Sequence, residues 1–423
     1  MSDLHRSFAK AKLAQLPPMP PDIDEAAEEE QLRDPTLDRD YDDSSSASSA
    51  SSTGTIRPAP SHHLFPRPKI PLQGGRRSHL DPLPWTPHFA QELYLTASSN
   101  AEDVTHHVYL TAPAPAPALA PALSAPLFVT HHGAGSSGLS FAILASEIRK
   151  LLPNAGVLSV DARGHGESVV TPHGLEPAKS LDLSLETLTT DLITILRLTQ
   201  EKCAWPSLPP LVLVGHSLGG AVVTNAAHRG TLGDRVLAYA VLDVVEGSAM
   251  DALQSMQTYL TTRPSTFPSL SVGIEWHIRS RTIRNTTSAR TSVPPLLTQS
   301  VQPPNAWLWR TDLAATQPFW ESWFRGLSSK FLGATSGKLL LLAGTDRLDK
   351  ELMIGQMQGK YQLQVFPEAG HFIHEDLPEK TAMVLVDFYK RNDRSALVLP
   401  PKVGDLLKMK PSPSVLSNRT YQQ

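Results

Sequence analysis

Cysteine is almost missing from this sequence. Cys203 is the only one in 423 residues, so an internal disulfide framework and a cysteine-built zinc site are both excluded. No run of about 18 apolar residues is present to span a membrane. The start, Met1 to Leu13, lacks the apolar core of a secretory signal. Sixteen histidines occur, among them His62-His63 and His106-His107, but no H-E-x-x-H pattern accompanies them. No G-x-x-x-x-G-K loop is present, so the Arg163–His165 stretch does not read as a phosphate cradle. The net charge of −3 leaves no basic excess for nucleic acid. These absences point to a soluble protein of a reducing compartment, cytoplasmic and open to nuclear entry. No cofactor, metal, nucleic-acid or membrane partner is expected, and nothing calls for more than a monomer. Cys203 reads as an inert residue between a helix and a strand.

Proline is plentiful instead, at 37 residues, and hydrophobic residues make up 40% of the chain. The two facts separate along the sequence. Residues 1–80 hold a proline-rich stretch (Pro17–Pro21), an acidic one and a Ser/Ala tract (Ser44–Ser52). Between Asp22 and Asp43 eleven acids face only Arg33 and Arg39. Such composition buries too little apolar surface to offset chain entropy, so this region is expected to be disordered. Leu4–Leu16 reads equally as a short amphipathic helix or a frayed terminus. Order is expected from about Pro82-Leu-Pro-Trp85, with a second flexible piece at Ala112–Ala118.

From Leu127 onward, short apolar runs are bounded by Gly, Asp or Pro: Leu127–Thr130, Val157–Val160, Leu211–Val214, Val236–Val245, Leu339–Leu342 and Tyr361–Val365. Runs without alternation fit strands buried on both faces of a parallel sheet. Helical stretches such as Leu183–Leu198, Ala221–His228 and Leu377–Phe388 lie between or after them. The pattern predicts an α/β fold with a mostly parallel sheet. It divides the chain into a core of 81–245 and 336–392, interrupted by an insertion over 246–335, with a tail over 393–423. The insertion is too long for a plain loop and is expected to be a helical cap. It carries Trp276, Trp307, Trp309, Trp320 and Trp323, which either line a groove or hold the cap together.

Gly215-His-Ser217-Leu-Gly219 follows a strand directly and precedes a helix. This is a G-x-S-x-G elbow in the context the motif requires. Glycines flank the serine because the turn is strained and tight. The helix that follows favours negative charge developing at its N-terminus. A base is expected on a late strand–helix loop, and His371 follows the strand Tyr361–Val365. Its rival His374 is placed at the helix start as a capping or surface residue. Two acids end strands, Asp243 and Asp346, and either can orient the imidazole. The backbone N–H groups of Leu218 and of Ala134, within His131-His132-Gly133-Ala134-Gly135, are the expected oxyanion donors. Asp161–Ser168 reads as loop scaffolding.

These features fit an α/β-hydrolase fold, and further segments narrow the resemblance. Leu242-Asp-Val-Val-Glu-Gly-Ser-Ala-Met-Asp-Ala-Leu253, Ile274-Glu-Trp276, Ile283-Arg-Asn285, Trp320–Leu327, Leu339–Leu363 and Gly370-His-Phe-Ile-His-Glu-Asp376 resemble the protein phosphatase methylesterase family. The likeness spans roughly residues 80–392. It implies hydrolysis of the methyl ester on the C-terminal leucine of the type 2A protein phosphatase catalytic subunit, which would be both substrate and binding partner. It also implies that Asp243, not Asp346, completes a triad with Ser217 and His371. The loop around Ala134 is poorer in glycine than the family's usual one. A small-ester carboxylesterase or lipase, and a phosphatase-masking protein with little turnover, are the alternative readings.

Overall fold

The computed structural model describes residues 80–115, 125–173, 181–301, 306–344 and 348–393. The expectations for residues 1–79, for 116–118 of the Pro/Ala stretch, for Asp346 and for the tail beyond Asp393 lie outside them.

The chain opens with a hairpin of β1 (Gln91–Ser98) and β2 (Glu102–Thr111), then β3 (Leu127–His131), α1 (Ala142–Leu151), β4 (Gly156–Val160) and β5 (Val169–Pro172). There follow α2 (Leu185–Lys202), β6 (Leu211–His216), α3 (Leu218–Arg229) and β7 (Val236–Leu242). The insertion contains α4 (Glu246–Thr262), β8 (Thr266–Phe267), α5 (Leu270–Arg279), α6 (Thr286–Ser292), β9 (Leu297–Gln299), β10 (Trp307–Trp309), α7 (Trp320–Phe324) and α8 (Leu327–Gly333). The core resumes with β11 (Gly337–Leu342), α9 (Lys350–Met357), β12 (Gln362–Val365), α10 (Ile373–Asp376) and α11 (Pro378–Asn392).

The main sheet runs β1-β2-β4-β3-β6-β7-β11-β12, with β5 paired to β2. It is parallel from β4 through β12 and antiparallel where β2 meets its neighbours. Alternate residues of each central strand enter different cores. Val129, Leu213 and Val241 pack with Leu188, Leu192 and Val222 of α2 and α3. Phe128, Val212 and Ala240 pack with Leu144, Ile148, Leu385 and Phe388 of α1 and α11. Helices on both faces explain why these strands carry no polar alternation. Each fully buried Leu contributes roughly 1.5–3 kcal/mol.

Two expectations need correction. The insertion is not purely helical: β8, β10 and β9 form a separate three-stranded antiparallel sheet. Its aromatic and β-branched residues favour a pleated, half-buried surface. Phe267 meets Trp309 edge-on with ring centroids 5.5 Å apart, beside a small core of Ile274, Ile283 and Val293. The last core strand before the insertion also ends at Leu242, not Val245, because Asp243 turns into the left-handed region with φ +51°.

Of the insertion's tryptophans, Trp320 and Trp323 are buried, while Trp276, Trp307 and Trp309 are half-buried. Trp320 and Trp323 join the main core, with their indole N–H groups donated to Thr316 Oγ1 and Leu183 O, each at 2.7 Å. Trp309 donates to Pro264 O at 2.7 Å, and the Arg263 guanidinium lies 4.4 Å from its ring centre. Cys203 caps the end of α2, half-buried, with its thiol pKa raised by burial. Among the described residues no helix is long and apolar enough to cross a membrane. None of them form a cluster of three or more His, Cys, Asp or Glu fit for a metal ion.

Candidate functional site: a serine–histidine–aspartate constellation

Ser217 sits between β6 and α3 with φ +52° and ψ −119°, a strained conformation worth about 1–3 kcal/mol. The turn is held by Ser217 N donating to Leu242 O at 3.1 Å and Gly220 N donating to Ser217 O at 2.8 Å. A Cβ on Gly215 would strike the Gly219 carbonyl, and one on Gly219 would strike the main chain of His131 and His132. The flanking glycines are therefore required by close backbone approach. Gly219→Ala is expected to displace the loop that carries Ala134 and to destabilise the fold by at least about 3 kcal/mol, above the usual range for overpacking. A thermal melt alongside an ester-hydrolysis assay checks this.

Asp243 and His371 come together. His371 Nδ1 lies 2.8 Å from Asp243 Oδ2, and the other carboxylate oxygen accepts Ala343 N at 2.9 Å. An ionised carboxylate only accepts, so Nδ1 carries the proton and Nε2 of the neutral ring keeps its lone pair. The Asp243 side chain is fully buried, whereas that of His371 is 46% exposed. The imidazole thus reaches the solvent side while the carboxylate that holds it is shielded from water. Asp243 N donates to Leu341 O at 2.8 Å, which anchors the second left-handed residue of the site. Asp346 lies outside the described residues.

The loop from His132 to Gly135 lies against the elbow: a Cβ on Gly133 would sit 3.1 Å from Ser217 Cβ. Gly133 O accepts from His132 Nδ1 at 2.7 Å and from Ser136 N at 3.1 Å. That carbonyl belongs to the same peptide as the Ala134 N–H, and a trans peptide points the two groups in opposite directions. Fixing one aims the other. Next along, Gly135 N donates to His165 Nε2 at 3.0 Å. Ala162 N donates to His132 Nε2 at 3.0 Å, so both imidazoles act as neutral spacers. Burial holds His132 well below the usual histidine range and lowers His165 too. Leu218 is the first residue of α3, where N–H groups have no intrahelical acceptor.

The Asp161–Ser168 segment is scaffolding, as expected. Burial pushes the Asp161 carboxyl up, but His107 and the Gly138 N–H outweigh it and hold it below the ordinary value. Arg163 is occupied by Asp191 at 2.8 and 2.9 Å and by Glu102.

His374 departs from expectation. It is fully buried rather than a surface cap, stacked on Phe141 at 4.2 Å and 4.6 Å from the His216 ring. Burial depresses it to about 3. His216 itself was not singled out by sequence reasoning. Its Nε2–H donates to His371 O at 2.9 Å, so the residue before Ser217 holds the main chain of His371. Within the elbow motif that position is free, which leaves no sequence signal for the role.

The architecture and the elbow place this protein among the α/β hydrolases. A family model described as the alpha/beta hydrolase family matches residues 127–384. "Protein phosphatase methylesterase 1" of Aspergillus oryzae is 61% identical, covering 96% of this chain and 93% of that protein. The Neurospora crassa protein of the same name is 56% identical over 96% of this chain and 99% of its own. The Schizosaccharomyces pombe one is 44% identical over 76% and 88%. Two solved structures match the fold at TM-score 0.53. One is E-2-(acetamidomethylene)succinate hydrolase (20% identity, 71% of this chain and 100% of that one). The other is a peroxisomal alpha-beta-hydrolase of Saccharomyces cerevisiae (13%, 75% and 94%). The chain belongs to the protein phosphatase methylesterase family.

Proposed function

We propose that this protein removes the methyl ester from the C-terminal leucine of the type 2A protein phosphatase catalytic subunit and releases methanol. Ser217 is the nucleophile, His371 the general base and Asp243 its orienting acid. The contact between His371 Nδ1 and Asp243 Oδ2 carries the reading, because it leaves Nε2 free to take the serine proton. The names and high identity of the relatives support the substrate.

Ser217 Oγ attacks the ester carbonyl carbon as its proton passes to His371 Nε2. The oxygen, now negative, rests on the N–H groups of Ala134 and Leu218, each worth about 10²–10³ in rate. The C–OCH₃ bond breaks, methoxide takes the proton from His371, and methanol leaves. Water then gives a proton to His371 and attacks the acyl-enzyme, Ser217 recovers its proton from His371, and the free leucine carboxyl departs, giving its own proton to solvent.

Methanol release from carboxymethylated phosphatase catalytic subunit tests the whole reading. Ser217→Ala is expected to lower release by about 10⁶-fold. Undiminished release by Ser217→Ala would remove the serine from the mechanism. Hydrolysis of a short aryl ester without methanol release would keep the serine and reject the substrate.

A further inference from the structure

The main chain around His371 is held from both sides by buried groups. After it, His371 O accepts from His216. Before it, Gly370 N donates to Asp376 Oδ2 at 2.7 Å. The other oxygen of Asp376 accepts the backbone N–H of Arg284 at 2.7 Å. Arg284 belongs to the insertion, between α5 and α6. Its guanidinium lies 3.7 Å from Asp376 Oδ2 and donates to Glu368 O. The Asp376 side chain is 2% exposed. The next contact along the same segment also reaches α6, through Ser288 Oγ donating to Glu375 O at 2.8 Å.

We propose that Asp376 is a positioning residue for His371: its carboxylate fixes the chain entering the histidine and, through Arg284, ties that segment to the insertion. The inference rests on the reading of His371 as the general base. A carboxylate suits the task because two N–H donors approach its two oxygens. An amide would offer one of them an NH₂ group, and donor would face donor. Charge-assisted hydrogen bonds to both backbone groups also resist displacement better than neutral ones. Held this way, neither the Ala369–Gly370 peptide before the histidine nor the His371–Phe372 peptide after it can swing, and the orientation of the imidazole is set before substrate arrives.

The test compares full-length wild type, Asp376→Asn, Arg284→Ala and His371→Ala. A fluorophosphonate labels Ser217 as the P–F bond breaks, fluoride leaves and the base takes the serine proton. Its stoichiometry gives the fraction of competent sites, and its rate gives the activation of each one. Methanol release supplies kcat and KM. Asp376→Asn is expected to lower the per-site labelling rate and kcat together by roughly 10–100-fold, as a misplaced catalytic group does. KM and the titratable fraction should stay near wild type. Arg284→Ala, which keeps its backbone N–H, should show a smaller loss in the same direction.

A purely structural role predicts the opposite split: fewer titratable sites and a lower Tm, with the per-site rate intact. That result, or wild-type rates in Asp376→Asn, would overturn the proposal. Were Asp376→Asn unable to fold, an unchanged per-site rate in Arg284→Ala would overturn it instead. His371→Ala must lose labelling. If it labels at the wild-type rate, the assignment of the base fails and the proposal falls with it. A dead His371→Ala beside a fully active Asp376→Asn would sink the proposal alone.

Discussion

Asp243→Asn should lower kcat for ester hydrolysis by about 10⁴-fold while the fold survives. The geometry makes this a clean substitution. Asp243 has φ +51°, a conformation that Asn tolerates nearly as well as Asp and better than other residues with a side chain. The Asn carbonyl can keep the Ala343 N–H now bound at 2.9 Å. Its NH₂ group then faces His371 Nδ1, which sits 2.8 Å from the carboxylate in the native protein. The donor forces Nδ1 to accept, and the ring's proton moves to Nε2, the nitrogen needed as a base. Losing the carboxylate also removes the charge that stabilises the imidazolium. Steady-state kinetics with the methylated phosphatase, beside a thermal melt, provide the check. Asp346→Asn in parallel should remain within a few-fold of wild type. Reversed results would move the acid to Asp346 and detach the 2.8 Å contact from the chemistry.

That choice of acid shows what the sequence made legible. Strand ends at Asp243 and Asp346 look alike in composition, and only the likeness of Leu242–Leu253 to a known family separates them. The central strands were readable because burial on both faces writes a continuous apolar run, as in Leu211–Val214. The hairpin β1–β2 was not read: β1 is an edge strand whose residues are mostly exposed, so the run from Gln91 to Ser98 carries no apolar block. The small sheet of the insertion escaped for another reason. Its strands span two or three residues, shorter than any window in which period-2 alternation can be recognised.

The elbow declared itself, since its glycines answer a local backbone demand. His132, His165, His216 and Asp376 did not, because each acts on a peptide group of a different loop. Contacts spanning 30, 155 or 92 positions leave no trace in spacing. His374 was misplaced on the surface because Phe-Ile-His-Glu-Asp looks polar. Its burial depends on Phe141, which lies far away in the chain.

The buried histidines and one buried acid should give this protein a stability maximum that is lost toward acid, with opposing contributions that mutagenesis can separate. Burial depresses His131 and His277 to about 4 and His374 to about 3. The unfolded chain takes up these protons near 6.5, while the folded chain refuses them. Each such group therefore withdraws up to about 1.4 kcal/mol per pH unit as pH falls below 6.5. Three together remove roughly 4 kcal/mol per unit, against a total stability of about 5–15 kcal/mol. Unfolding is expected near pH 5. Glu375 works in the other direction. Burial raises it to about 8 although Ser292 donates to its carboxylate. Its folded-state proton is an advantage that is complete below about 4.5 and disappears as pH rises through 8. Neutral Gln in its place should raise Tm by several degrees at pH 7.5 and leave it unchanged near pH 4.5. His374→Phe, which keeps a flat ring against Phe141, should flatten the acid limb by about 1.4 kcal/mol per unit. Melting curves from pH 4.5 to 8.5 on wild type and both variants decide it. A wild-type acid limb that His374→Phe leaves equally steep would mean that this imidazole already binds a proton in the folded protein.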